Sequence, residues 1–488
     1  MLLVTALMAG ELASGTSPYF VAMMAIAMLS ACVTYNVLGG LGTIGGIGFT
    51  AFALSTLVIG QVAKVILFEP ADQNLDVPQL TITVYAVFFF FLMLGTLAFS
   101  RLRLPLPKPA EVMTEAQSRY VYAIALAGGM VGSISFTALN LAGGAGATSS
   151  AHGFARALAY LLPFSLVVAV DNRIRATSGR HSIGWMAVWP TLTMVLLSFV
   201  GAARGAFMQP FVIIFLTCYL RNFRFRRKHL AAAAGLTAVL FLFISPLYLW
   251  MRAWRGDPTI KTQAATMWRL LQAAPSQWAT ITYDVGAGQL AGAGLVNYFP
   301  SVGAVTLNRI VLIGDDSTLI NACSSGFHYG FTSLKLDLLS EIPRFLYRNK
   351  PEIGSNEYLG HLDGQEGDEF VTTFTTVTPI ADSYGAFSWL GVVALAFLIF
   401  PAVYIVYESI FDISRPWGTV ATVMVMTTGS SMGGLITETM IKGPIYVLII
   451  SWCVAWCIRF IPTGGDRAAA PPKNKSKPLF AVAAHRSQ

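Results

Sequence analysis

The sequence predicts an all-α polytopic membrane protein of about twelve transmembrane helices with one large external loop domain. Three observations predict it. Of 488 residues 55% are hydrophobic and only 11% are charged, against roughly a quarter charged in an ordinary soluble domain. Apolar runs near the ~20 residues that cross a bilayer recur along the whole chain. Lys and Arg gather in alternate connecting segments, the mark of cytoplasmic loops. A water-soluble multi-domain enzyme is excluded, and the net charge of +8 reflects helix ends rather than a nucleic-acid surface.

The first candidate span, residues 1–13, is short and lacks a basic leading segment, so it reads as a shortened first helix rather than a cleaved signal peptide. The others lie near 18–36, 44–68, 81–99, 119–141, 153–171, 184–202, 206–220, 230–250, 384–408, 417–436 and 443–460. Arg101, Arg103, Lys108 and Arg119 follow the fourth span, and Arg173, Arg175 and Arg180 the sixth. Arg221, Arg224, Arg226, Arg227 and Lys228 follow the eighth, Arg415 the tenth and Arg459 the last. Every basic cluster thus follows an even-numbered span, which puts both termini in the cytoplasm. The segment 69–77, EPADQNLDV, follows an odd-numbered span and holds no Lys or Arg.

The chain divides into an N-terminal bundle (1–250), an external loop domain (251–382), C-terminal helices (383–460) and a basic, Pro-rich tail (461–488). The tail cannot bury enough apolar surface to fold. The loop carries 13 of the 24 acidic residues and 9 of the 32 basic ones, so it is net negative while the rest is strongly positive. Its segment 332–350 spaces Leu334, Leu338, Ile342, Phe345 and Leu346 at near-helical intervals, the pattern of an amphipathic helix resting on the bilayer, bent at Pro343. Residues 259–271, with Trp268, Leu270 and Leu271, form a second such candidate.

The chemistry-bearing residues are few. Cys453 and Cys457 lie in an apolar run and read as packing, and Cys323 has no cysteine partner in the loop. His328 and His361 have no second histidine at ligand spacing, and the acidic run 363–369 lacks a calcium-loop pattern. The Gly-rich stretches 38–48 and 142–147 lack the lysine and strand–helix setting of a phosphate loop. No metal or cofactor is expected.

Arg204 is the sharpest candidate, a cation in a very short outer turn, where the charge bias disfavours one. It reads either as an arginine snorkelling to headgroups or as a donor fork for a phosphate or diphosphate. Arg252, Arg255, Arg344, Arg348 and Lys350 add cations on the same side, enough for an anion site near the outer leaflet.

Three segments carry a resemblance. The turn and helix AARGAFMQPFVIIF (202–215), the loop segment EIPRFLYRNKP (341–351) and the re-entry segment PIADSYGAFSWLG (379–391) together resemble the Wzy-type oligosaccharide repeat-unit (O-antigen) polymerase family. The resemblance covers residues 180–410, the first half matching in hydropathy alone, and Tyr384 stands where many relatives carry Phe.

It implies a GT-C-like fold and a metal-independent glycosyltransferase of the bacterial inner membrane. Donor and acceptor would be polyprenyl-diphosphate-linked oligosaccharides, acting among membrane lipids. A polysaccharide chain-length regulator is a further partner compatible with it, and nucleic acid is not. Arg204 and Arg344 would stabilise the leaving diphosphate, with Arg252, Arg255, Arg348 and Lys350 binding beside them. Asp382 is the first candidate base for the acceptor hydroxyl, ahead of Glu352, Glu357 and His361, although Asp382–Ser383 reads equally as a helix N-cap. Tyr384 would contact glycan, and Gly385 would let helices approach closely. The rival readings are an O-antigen ligase of the same fold, a transporter of lipid-linked sugar, and a scaffold of an envelope complex.

Overall fold

The computed structural model describes residues 2–102, 104–105, 115–143, 150–201, 204–252, 259–286, 298–299, 307, 311–341, 347, 377–410 and 423. Every helix or strand element among the described residues is a helix, and no strand is present among them. In chain order the helices are α1 (Leu2–Ala13), α2 (Pro18–Val37), α3 (Ile44–Ala53), α4 (Ile59–Leu67), α5 (Pro78–Phe99), α6 (Glu115–Gly143), α7 (Ser150–Ala159), α8 (Leu161–Ala176) and α9 (Trp185–Val200). They continue with α10 (Arg204–Leu220), α11 (Arg227–Val239), α12 (Ser245–Arg252), α13 (Ile260–Gly286), α14 (Ile313–Ser324), α15 (Thr332–Glu341), α16 (Pro379–Ala394) and α17 (Phe400–Ile410). Single π turns fuse α3 to α4, α11 to α12 and α16 to α17.

Seven stretches are long and apolar enough to cross a membrane, and Leu2–Ala13, Trp185–Val200 and Ala206–Leu220 are shorter apolar helices. These account for the first ten expected spans; 443–460, the tail and, Val423 apart, 417–436 lie outside the described residues. Local sequence sets the starts. Pro18 and Pro78 occupy the first helical position of α2 and α5, where a missing N–H costs nothing. Thr43 caps α3, its hydroxyl accepting the Gly46 N–H at 3.0 Å.

Packing brings α2, α3, α5, α16 and α17 around one core, where Phe52, Phe88, Phe89 and Phe400 meet at centroid separations of 5.4–5.8 Å. A second core joins α6, α8, α9 and α10, and a third holds α12 on α13 through Trp250, Met251 and Met267. Large apolar side chains such as Ile66, Ile124, Leu196 and Phe215 remain outward, as expected of helices solvated by lipid.

The connecting segments sort into two ends. At one end, Asp72 accepts the Ser17 N–H at 2.9 Å, and Lys64 reaches the Tyr298 carbonyl at 2.7 Å. At the other, Asp171 pairs with Arg175 at 2.7 Å and with Arg221, while the Ser409 hydroxyl accepts the Leu104 N–H at 3.0 Å. The described parts of the segments after the first, third and ninth spans thus share the first end, and those after the sixth and eighth meet at the second.

The loop differs from expectation in three places. α13 runs on to Gly286, through Pro275, well past the expected 259–271. α15 reproduces the first half of 332–350; the bend at Pro343 lies outside the described residues. α14 is not among the expected elements: Ile313–Ser317, its first residues, are all buried, and Asp315, Asp316 and Ser317 are polar, so the inward side is not marked by an apolar stripe.

Candidate functional site

The site lies where the loop returns to the bundle. Helix α16 starts at Pro379, earlier than the expected 384, and breaks at Phe387 (φ −140°, ψ 24°) and Ser388 (φ 54°, ψ −144°). A broken helix leaves terminal carbonyls without intrahelical donors. Here the Tyr329 N–H donates to Gly385 O at 3.2 Å and the Gly330 N–H to Ala386 O at 3.1 Å. Residues Pro379–Ala386, ahead of the break, are entirely buried.

Asp382 sits on this short helical piece and is 3% exposed. Its Oδ1 accepts the Tyr329 hydroxyl at 2.7 Å and the Ser333 hydroxyl at 3.1 Å. The alternative of Asp382–Ser383 as an N-cap is therefore corrected. Thr378 is the cap, its hydroxyl accepting the Ile380 N–H at 3.2 Å, and Asp382 lies a full turn inside, turned toward the loop.

A second carboxylate holds the cap itself. Asp316 of α14 is fully buried and accepts the Thr378 N–H at 2.7 Å, the Thr378 hydroxyl at 2.5 Å and the Tyr85 phenol of α5. Burial pushes its carboxyl up to about 6; hydrogen bonds from Thr378 and Tyr85 work against that rise, and the nearby Asp382 charge adds to it. An acidic group before a helix start also answers the positive end of the helix dipole.

Aromatic rings pack against one another around the break in α16. His328 meets Tyr384 edge-on at 6.1 Å, Tyr384 meets Trp389 at 5.5 Å, and Phe331 meets Phe387 at 4.6 Å. Tyr384 is buried, whereas His328 and Trp389 are exposed. A carboxylate so held can take a proton from a hydroxyl brought to it, and the exposed rings of His328 and Trp389 offer flat apolar faces near the break.

Comparison with family models, curated proteins and solved structures found no match. The chemistry must therefore be read from the residues themselves. Asp382, Tyr384 and Gly385 all lie on the first piece of α16, and Gly385 makes room for something other than a helix. A Cβ there would come 2.5 Å from the Tyr329 ring, in the segment between α14 and α15.

Arg204 is the first residue of α10 and Arg252 the last of α12, and for both the description ends at the backbone. Arg255, Arg344, Arg348, Lys350, Glu352, Glu357 and His361 lie outside the described residues. Among the described residues no group of three His, Cys, Asp or Glu is placed to hold a metal. Sequence reasoning missed Tyr85, Asp316, Tyr329, Ser333 and Thr378. Two signals were present: adjacent carboxylates in the apolar setting LIGDDSTLI and a tyrosine inside TVYAVFFFF.

Proposed function

We propose that the protein is a membrane glycosyltransferase that polymerises polyprenyl-diphosphate-linked oligosaccharide repeat units at the outer face of the bacterial inner membrane. The observation that carries the reading is the burial of Asp382 at the loop-to-membrane junction, held by two loop hydroxyls beside the His328–Tyr384–Trp389 rings. It is supported by the motif order in the sequence and by the meeting of the segments after the first, third and ninth spans at one end.

In this mechanism the acceptor sugar hydroxyl attacks the anomeric carbon of the donor's reducing-end sugar. Its proton passes to Asp382, and the bond from that carbon to the diphosphate oxygen breaks. The departing polyprenyl diphosphate carries the electron pair, and Arg204 and Arg344 stabilise its charge, with Arg252, Arg255, Arg348 and Lys350 near them. Tyr384 lines the saccharide path. A GT-C-like architecture and cytoplasmic termini belong to the same proposal.

The test is reaction of the purified protein with defined polyprenyl-diphosphate oligosaccharides. A ladder of products is expected. Transfer of a single block without elongation would instead mark a ligase. The break in α16 favours one second reading, a lipid-linked sugar transporter, since transporters bind substrate at discontinuous helices. Translocation into liposomes without any ladder would decide for it.

A further inference from the structure

At the second end of the bundle, away from Asp382, two connecting segments close around one buried carboxylate. Asp171, near the end of α8, is 1% exposed and pairs with Arg175 of its own helix and with Arg221 just past α10. The Arg224 N–H donates to Gly179 O at 3.4 Å, so the segment after α10 lies against the turn that follows α8. Arg173 of α8 reaches forward: its Cδ would lie 3.3 Å from a Cβ on Gly184, the residue before α9.

The backbone decides what this surface shows. Residues 223–226 are not helical, and Arg226 is extended at φ −99°, ψ 158°. Successive side chains of an extended segment point to opposite faces. Phe223 is buried and Phe225 half-buried; their rings meet at 5.3 Å, and Phe225 meets Phe215 of α10 at 5.6 Å. Arg224 and Arg226, which alternate with them, are exposed.

The charge is one-sided. Residues 171–185 and 221–230 together hold eight Lys and Arg against one acid, Asp171. Arg175 and Arg221 take up that acid. Among the described residues no carboxylate pairs with Arg173, Arg180, Arg224, Arg226, Arg227 or Lys228, and all six are exposed. Such a surface attracts phosphate-bearing anions.

Its depth selects among them. Trp185 and Trp189, in the first turns of α9, are both exposed and meet edge-on at 5.5 Å. Indole rings gather where a bilayer meets water, and cations at span ends beside them stand at headgroup level, where each adds attraction to an anionic leaflet. Basic span ends are common in membrane proteins. Here two of them are locked into one surface by a buried ion pair and a backbone hydrogen bond.

We propose that residues 173–180 and 224–228 form a binding site for anionic phospholipid headgroups, the lipid phosphate being met by cations of both segments. Asp171 keeps the segments together from below and leaves the outward cations to the lipid. The site anchors α8, α9 and α10 to the leaflet at that end, independently of any glycosyl transfer.

The test uses the full-length purified protein in nanodiscs of phosphatidylcholine mixed with phosphatidylglycerol. Native mass spectrometry is expected to find phosphatidylglycerol enriched among the lipids that wild type retains. Arg224→Gln with Arg226→Gln should cut that retention by about twofold or more. Lys261→Gln with Arg269→Gln, an equal loss of charge on α13, should leave it unchanged. Phosphatidylglycerol should also raise the Tm of wild type more than that of the first variant. Retention equal in all three proteins would overturn the proposal, and so would equal loss from both variants, which would mark bulk charge rather than a site. If the first variant does not accumulate, Arg173→Gln with Lys228→Gln takes one cation from each segment and carries the same expectation and the same refutation. If heparin raises the Tm in pure phosphatidylcholine nanodiscs more than phosphatidylglycerol does, the surface belongs to a macromolecular polyanion and the lipid is rejected.

Discussion

The phenol of Tyr329 donates to Asp382 Oδ1 at 2.7 Å while its ring occupies the space that a side chain at residue 385 would need. One loop residue thus both orients the candidate base and fixes the helix that carries it. Tyr329→Phe removes the hydroxyl and keeps the ring. It should cost about 1–3 kcal/mol through the under-satisfied carboxylate, read as a lower melting temperature. Asp382→Asn should leave the fold and abolish elongation in the oligosaccharide assay.

Gly385→Ala should destabilise by about 1–3 kcal/mol, since overpacking forces the ring or the backbone to move. The double variant Gly385→Ala with Tyr329→Ala should recover part of that loss. A thermal-melt cycle across the four proteins checks this, and simple additivity would speak against the close approach.

Asp316 gives a pH dependence of defined sign. Its carboxyl is raised from 3.8 to about 6, so between those values the native state binds more protons than the unfolded chain. Its contribution is fully present below the lower value, and stability falls as pH rises toward 6. Asp316→Asn should flatten that part of the melting-temperature profile.

The diphosphate role assigned to the arginines is tested separately. Arg204→Ala and Arg344→Ala should each abolish long polymer while the protein still inserts and accumulates. Loss of one such contact corresponds to about 10²–10³ in rate. Long polymer from both variants would defeat the assignment. Elongation should also persist in EDTA, measured in the purified reaction.

Hydropathy and charge alternation made the helical body legible, because lipid leaves only helices with satisfied backbone and one-sided charge. The shortness of α1 and α10 was equally visible in their apolar runs, whereas α9 is shorter than the 184–202 expected for it. The carboxylate junction was only half legible. Asp382 stood at a recognisable re-entry, but its partners Tyr329 and Ser333 are 53 and 49 residues away, and no local pattern records such a pairing. Helix α14 escaped because its buried first turn carries Asp315, Asp316 and Ser317, polar residues where an amphipathic pattern would place apolar ones. The broken α16 escaped because Ala386–Phe387–Ser388 contains neither Pro nor Gly at the break.

The chain of contacts from Tyr85 through Asp316 to Thr378 joins a membrane helix, a loop helix and the start of α16. The loop is therefore not a detachable cap. A chimaera that imports a foreign loop while keeping its own fifth helix would pair a tyrosine with the wrong acid, or an acid with no tyrosine. Exchange of specificity between such proteins has to move both pieces as one unit.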